Sequence, residues 1–257
     1  MKSIGFIGVG VMGKPMVRNL MKKGFPVSIY TRTKSKVLDV IKEGAVWCDD
    51  VKTCVQDRDV IITIVGYPKD VEEVYFGENG IIANAKPGAV LIDMTTTSPK
   101  LSERIYAEAK PRGISALDAP VSGGDSGAKA GTLSIMVGGD REAFDACQDV
   151  FAAMGTNIIY EGGAGKGQHT KMANQIALAG AVASVSEAIA YARRTGLDVE
   201  TMLASISKGA AGSWQMTNNA PKMVAGDMAP GFFIKHFIKD MAIADEEAKA
   251  AGLTMPV

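Results

Sequence analysis

Gly8-Val-Gly10-Val-Met-Gly13 follows the apolar run Ser3–Ile7 and opens Val11–Lys23, whose apolar residues recur at helical spacing until Gly24. A glycine-rich turn between a strand and a helix leaves few options for the fold. The first glycine makes the tight turn, the second lets the backbone approach a pyrophosphate, and the third lets helix and strand pack closely. The helix N-terminus then offers amide donors and a partial positive charge. A GxGxxG taken alone is weak evidence, but the preceding strand, the following helix and a second strand at Val27–Thr31 supply the βαβ context. Gly8, Gly10, Val11, Met12 and Gly13 are therefore candidate dinucleotide-binding residues.

The pattern continues as an open α/β sheet. Val60–Val65 and Val90–Met94 are nearly continuous apolar runs, as strands buried on both faces read. Ser115–Leu117, Thr132–Val137 and Asn157–Tyr160 read as further strands, and Lys34–Glu43, Pro99–Lys110 and Arg141–Met154 as helices. From Gln168 onward no strand pattern remains. Gln168–Thr195 is a long segment rich in Ala and Ser that Gly196 stops, Asp198 caps Val199–Lys208, and Ile234–Ala251 reads as another helix. The expected architecture is α/β: an N-terminal Rossmann dinucleotide-binding domain over residues 1–162, then an all-α domain over residues 163–257, hinged near Gly162–Gly167. The long small-residue helix needs cover from the other domain or from a second subunit.

Charge and length exclude some classes of function. The 28 basic and 28 acidic residues cancel, and no basic stripe points to nucleic acid. Ile4–Met12 is too short to span a bilayer, and no other segment reads as reaching that length without polar interruption, so no membrane association is expected. Cys48, Cys54 and Cys147 form no CxxC pair and read as free thiols in a reducing cytoplasm. With His169 and His236 the only histidines, no metal site is expected.

The end of the second strand reports on the cofactor. A site selecting NAD places Asp or Glu there for the ribose hydroxyls. Here the residues are Tyr30-Thr31-Arg32-Thr33-Lys34. Arg32 can face a 2′-phosphate, Thr31 and Thr33 can donate hydrogen bonds, and Lys34 adds charge, which predicts NADP(H) rather than NAD(H). The bland alternative is that Arg32 and Lys34 belong to a solvated loop.

The chemistry is expected near Gly165-Lys-Gly167-Gln-His-Thr-Lys171-Met-Ala-Asn174-Gln175. Lys171, Asn174 and Gln175 share one helical face. Most helical lysines are simply solvated, but the surrounding segment is apolar, and Gly165 and Gly167 permit close backbone approach. Reducing a carbonyl requires a proton for the developing alkoxide, which a lysine supplies if desolvation or a neighbouring cation, for which Lys239 is a candidate, brings its pKa toward neutrality. Asp118-Ala-Pro-Val-Ser122-Gly123-Gly124 follows a strand, where ligands of open α/β sheets gather. Taken alone, it is an ordinary turn. Trp214, Met216, Phe232 and Phe233 could wall a pocket and could equally be core.

Taken together, Gly8–Gly13, Asp118–Gly124, Gly165–Lys171 with Asn174, and Ile238-Lys239-Asp240 occur in an order that resembles the β-hydroxyacid dehydrogenases along essentially the whole chain. Gly131-Thr-Leu-Ser-Ile-Met-Val-Gly-Gly139 and Lys171–Gln175 are most similar to the tartronate semialdehyde (2-hydroxy-3-oxopropionate) reductase subgroup, although several relatives carry a second Asn where Gln175 stands. The resemblance implies an NADPH-dependent reductase of short carboxylic aldehydes such as tartronate semialdehyde, glyoxylate or succinic semialdehyde. In it Lys171 would be the general acid/base and Asn174 its orienting partner. Ser122, Gly123 and Gly124 would hold the substrate carboxylate, with Gln175 beside them. Lys239 would lie near both substrate and nicotinamide, Val65 and Thr96 would line the cofactor, and the protein would form a homodimer or homotetramer through the helical domain. Members of the family usually run a few dozen residues past Gly252-Leu-Thr-Met-Pro256, so a chain ending at Val257 is expected to lack the last helices of the substrate domain. Alternatives on the same scaffold are a 3-hydroxyisobutyrate dehydrogenase, against which Thr31-Arg32 argues, an imine reductase, against which Lys171 argues, and a non-catalytic nucleotide-binding module.

Overall fold

A computed structural model describes residues 1–229 and 231–255; Pro256 and Val257, where a truncated end was expected, lie outside the described residues. Six parallel strands form most of the sheet: β1 (Ile4–Ile7), β2 (Val27–Tyr30), β3 (Val46–Trp47), β4 (Val60–Thr63), β5 (Val90–Asp93) and β6 (Ser115–Asp118). They lie in the order β3-β2-β1-β4-β5-β6. The sheet continues through β8 (Leu133–Gly139), antiparallel to β6, with the two-residue β7 (Val121–Ser122) antiparallel to β8 and β9 (Gly155–Gly162) parallel to it.

The strand periodicity of two sorts the core onto the two faces of the sheet. Ile4, Phe6 and Ile62 pack on one face with Met16, Val17 and Leu20 of the helix Gly13–Lys22. Ile7, Ile61 and Leu91 pack on the other with Tyr75, Leu101 and Ile105, from the helices Pro68–Tyr75 and Pro99–Ala109. Strand order reverses between β1 and β4, and the crevice beyond their carboxyl ends is where such sheets take ligands.

Several elements depart from the sequence pattern. Lys34–Glu43 begins as a tight 3-10 turn, Lys34–Val37, before the helix Leu38–Lys42. Arg141–Met154 is two short helices meeting at Cys147, whose backbone is not helical. β3 and β7 were not expected, being only two residues long.

The helix Lys166–Thr195 joins the two halves of the molecule. Its 30 residues span about 45 Å. Its first turns bury Gln168, Lys171, Met172 and Gln175, and its last turns pack Val185 and Ile189 against Leu203 and Met216. Contrary to the expectation from the sequence, it is long and apolar enough to cross a membrane by length and composition alone, with 22% of its apolar stretch buried. The remaining helices, Val199–Ile206, Trp214–Asn218, Ala220–Ala225 and Ile234–Ala250, complete the α-helical part.

Candidate active site

The crevice at the sheet switch point opens into a cavity of about 560 Å³ that reaches from the glycine turn to Lys171 and Lys239. Gly8, Gly10, Val11, Met12 and Gly13 all line it. Gly8 has φ +98°, and a Cβ there would stand 2.1 Å from the Ile64 carbonyl oxygen. A Cβ on Gly13 would stand 2.1 Å from the Gly8 oxygen. Both positions therefore require glycine. Gly10 differs, since its Cβ would meet nothing within 4 Å, so this backbone faces open space as a pyrophosphate cradle requires. By this test the chain fits a dinucleotide.

Thr31 and Arg32 line the cavity at the end of β2, and Val65 and Thr96 line it at the ends of β4 and β5. Thr95 Oγ1 accepts the Val65 N–H at 3.0 Å, which ties those two strand ends together. Thr33 does not line the cavity: it is exposed and precedes the 3-10 turn. The Lys34 ammonium sits 5.1 Å from the centre of the Trp47 ring, which takes its charge out of the cavity wall.

The opposite end of the cavity is built by clamping the start of the helix Lys166–Thr195 onto the strand ends. Asp118 Oδ1 accepts the Gly165 N–H at 2.8 Å, and Oδ2 accepts the Gln168 N–H at 2.9 Å. Two of the open donors of the helix terminus are thereby satisfied by one buried carboxylate. Burial raises the pKa of Asp118, and these N–H groups oppose the rise. Gln168 spans to β5, donating to the Thr95 oxygen at 2.7 Å and accepting the Thr97 N–H at 3.1 Å. A Cβ on Gly167 would stand 2.4 Å from the Met136 oxygen, so only glycine lets the helix pass this close.

One turn further along, Lys171 is 7% exposed and lines the cavity. Its Nζ donates to the Val121 oxygen at 2.8 Å. Burial pushes this ammonium down to about 8; Asp240 opposes the shift, and Lys239 adds to it. Lys239 also lines the cavity and donates to the Thr96 oxygen. Gln175 lies behind Lys171, receives the Asn174 amide at 2.7 Å, and donates to Asp240 Oδ2 at 2.6 Å. Neither Asn174 nor Gln175 forms the cavity wall. Ser122, Gly123 and Gly124 also stop short of it, where Val121 is the lining residue. Gly123 and Gly124 take φ +130° and +62°, and a Cβ on Gly124 would lie 3.8 Å from the Gly231 oxygen, which places this turn at the seam with the helical part. Of the four wall candidates, Phe232 and Phe233 line the cavity, Met216 is core, and Trp214 is exposed elsewhere.

Comparison with known proteins agrees with this geometry. Residues 3–162 match the model of the NAD binding domain of 6-phosphogluconate dehydrogenase, and residues 165–257 that of the NAD-binding region of NADP-dependent 3-hydroxyisobutyrate dehydrogenase. The chain is 59% identical to the oxidoreductase YkwC of Bacillus subtilis, over 99% of this chain and 88% of that one. The chain belongs to the 3-hydroxyisobutyrate dehydrogenase-like, or β-hydroxyacid dehydrogenase, family. An NAD-dependent L-serine dehydrogenase of Pseudomonas aeruginosa is 35% identical, with 100% and 89% of the two chains covered. The structure of 3-hydroxyisobutyrate dehydrogenase from Mycobacterium tuberculosis with L-serine superposes with a TM-score of 0.91 at 31% identity, covering 100% of this chain and 89% of that one. The protein is thus an NAD(P)-dependent oxidoreductase acting on a CH–OH group, with a Rossmann-like domain and a helical domain.

In this β-hydroxyacid dehydrogenase the sequence reading named Asp240 within the Ile238–Asp240 run but gave it no role, although it is 1% exposed and lines the cavity. The Lys239 ammonium lies 2.9 Å from its Oδ1, a charge contact rather than an aligned hydrogen bond. A signal was available, since Asp240, Ile243, Ala244 and Ala248 form the one buried stripe of the helix Ile234–Ala250. An acidic residue in an otherwise apolar stripe needs a partner. Asp118 was read as part of a turn motif and is instead the anchor of the helix that carries Lys171.

Proposed function

We propose that this chain reduces short carboxylic aldehydes with NADPH, and that Lys171 gives the proton. The observation that carries this reading is a buried lysine, drawn down to about 8, in the same cavity as the glycine turn. A bound nicotinamide would supply the hydride. Lys171 then meets the developing alkoxide with a proton from a group whose pKa lies close to the working pH, where general acids act best. Its hydrogen bond to the Val121 oxygen holds the ammonium in place. Asn174 and Gln175 hold Asp240, and Asp240 keeps Lys171 from losing its proton too readily. Lys239, on the Thr96 oxygen, adds positive charge for an anionic substrate. The Ser122-Gly123-Gly124 turn, adjoining Val121 at the edge of the cavity, takes the substrate carboxylate.

The preference for NADP(H) over NAD(H) rests on Arg32 and Thr31 in the cavity wall and on the absence of a carboxylate at the end of β2. A second reading, oxidation of a small hydroxyacid with NAD, is favoured by the 35% identity to the L-serine dehydrogenase. We also propose a homo-oligomer that covers the half-exposed middle of the helix Lys166–Thr195. The test is oxidation of NADPH, with NADH in parallel, against tartronate semialdehyde, glyoxylate and succinic semialdehyde, and reduction of NAD and NADP with L-serine and 3-hydroxyisobutyrate. Faster turnover of any hydroxyacid with NAD than of any aldehyde with NADPH would overturn the first reading in favour of the second.

A further inference from the structure

The end of β2 has no carboxylate, yet one reaches the same part of the cavity from another element. Asp70 lies in the first turn of the helix Pro68–Tyr75, and its side chain is 10% exposed. Its Oδ2 accepts the Tyr67 N–H at 3.0 Å, which caps that helix. Its Oδ1 accepts a hydrogen bond from the Arg32 guanidinium at 3.3 Å. Asp50 and Glu73 line the cavity as well, while Lys34 is turned onto Trp47. Arg32 therefore does not face the cavity as an unopposed cation.

We propose that Asp70 sets the cofactor preference through Arg32, acting as a positioning residue. By pairing with the guanidinium it competes with a 2′-phosphate and holds the preference for NADP(H) below what Arg32 alone would confer. This rests on the NADP(H) reading above. A 2′-phosphate must draw Arg32 from Asp70 or share it with a nearby carboxylate of the same sign. The ribose hydroxyls of NAD carry no charge and meet no such competition. Arg32 is well solvated, so the effect is modest, roughly twofold to fivefold in relative affinity.

The test is calorimetric binding of NADP+ and NAD+ to the protein, its Asp70→Asn and Arg32→Ala variants, and the double variant. Asparagine keeps an oxygen for the Tyr67 N–H, and Asp70→Gln is a second uncharged residue whose side chain reaches back from this third helical position. The ratio of NAD+ to NADP+ dissociation constants is expected to rise in both Asp70 variants, to fall in Arg32→Ala, and to be unmoved by Asp70→Asn once Arg32 is gone. A ratio that stays flat or falls in both Asp70 variants, while Arg32→Ala lowers it, overturns the proposal alone. An equal rise without Arg32 overturns it too, because the carboxylate would then act on the nucleotide directly. If Arg32→Ala leaves the ratio unchanged, the NADP(H) reading fails and the proposal falls with it.

Discussion

Asp118→Ala probes the joint on which the site depends. The carboxylate is 4% exposed and receives two backbone N–H groups, from Gly165 and Gln168, at 2.8 and 2.9 Å. Alanine leaves both donors buried at the start of the helix without an acceptor. Each orphaned group costs about 1–3 kcal/mol, and the favourable charge at the helix terminus is lost with them, so the expected loss is about 3–5 kcal/mol. That corresponds to a fall of roughly 10 °C in melting temperature for a protein of this size. A matched control is Lys249→Ala, which removes an exposed pair with Asp245 and should leave the melting temperature essentially unchanged. Differential scanning fluorimetry compares the two variants directly. At temperatures where Asp118→Ala remains folded, turnover should still fall, because Lys171 stands one turn beyond the loosened end. A melting temperature within about 2 °C of the parent would refute the reasoning, since such a small change is worth under roughly 1 kcal/mol.

Other consequences follow from the same geometry. On the proposed function, carbonyl reduction draws its proton from Lys171, so its rate should decline as pH rises through about 8, the value burial imposes. Asp240→Asn removes the charge that holds the proton on Lys171 and should move that decline to lower pH, as read from a pH–rate profile; a move to higher pH would contradict the role of Asp240. Gly167→Ala drives a methyl to within 2.4 Å of the Met136 oxygen and 2.7 Å of the Asp118 oxygen, both backbone atoms that cannot swing away. We expect a loss of at least about 2 kcal/mol in denaturant unfolding together with a displaced Lys171 and lowered turnover.

The dinucleotide half of the molecule was legible in the sequence because its signals are local. Gly8, Gly10 and Gly13 stand between a strand and a helix, and the runs at Val60 and Val90 show burial on both faces without reference to anything distant. Lys171 stood out because it shares a helical face with Asn174 and Gln175 in a segment that runs apolar beyond it. The elements that were missed are short or depend on remote partners. β3 is two residues long with Val46 exposed, so neither length nor alternation marks it. Helix Arg141–Met154 breaks at Cys147, a residue with no breaker chemistry. The partners of Asp70 and Asp240 are Arg32 and Gln175, 38 and 65 residues away in the chain. Ser122–Gly124 was placed beyond a strand, as β6 ends at Asp118, but Ser122 itself belongs to the two-residue β7, and the turn stops at the edge of the cavity that Val121 lines.

The measurement that bears most directly on the central claim is single-turnover reduction of the preferred aldehyde by NADPH in the parent and in Lys171→Met, with NADPH affinity measured in both. Methionine fills a similar volume and cannot donate a proton. The account predicts an affinity within a few-fold of the parent and a chemical step slowed by at least about 100-fold, the usual contribution of a positioned general acid. A Lys171→Met protein that binds NADPH and reduces the aldehyde at the parent rate would contradict it.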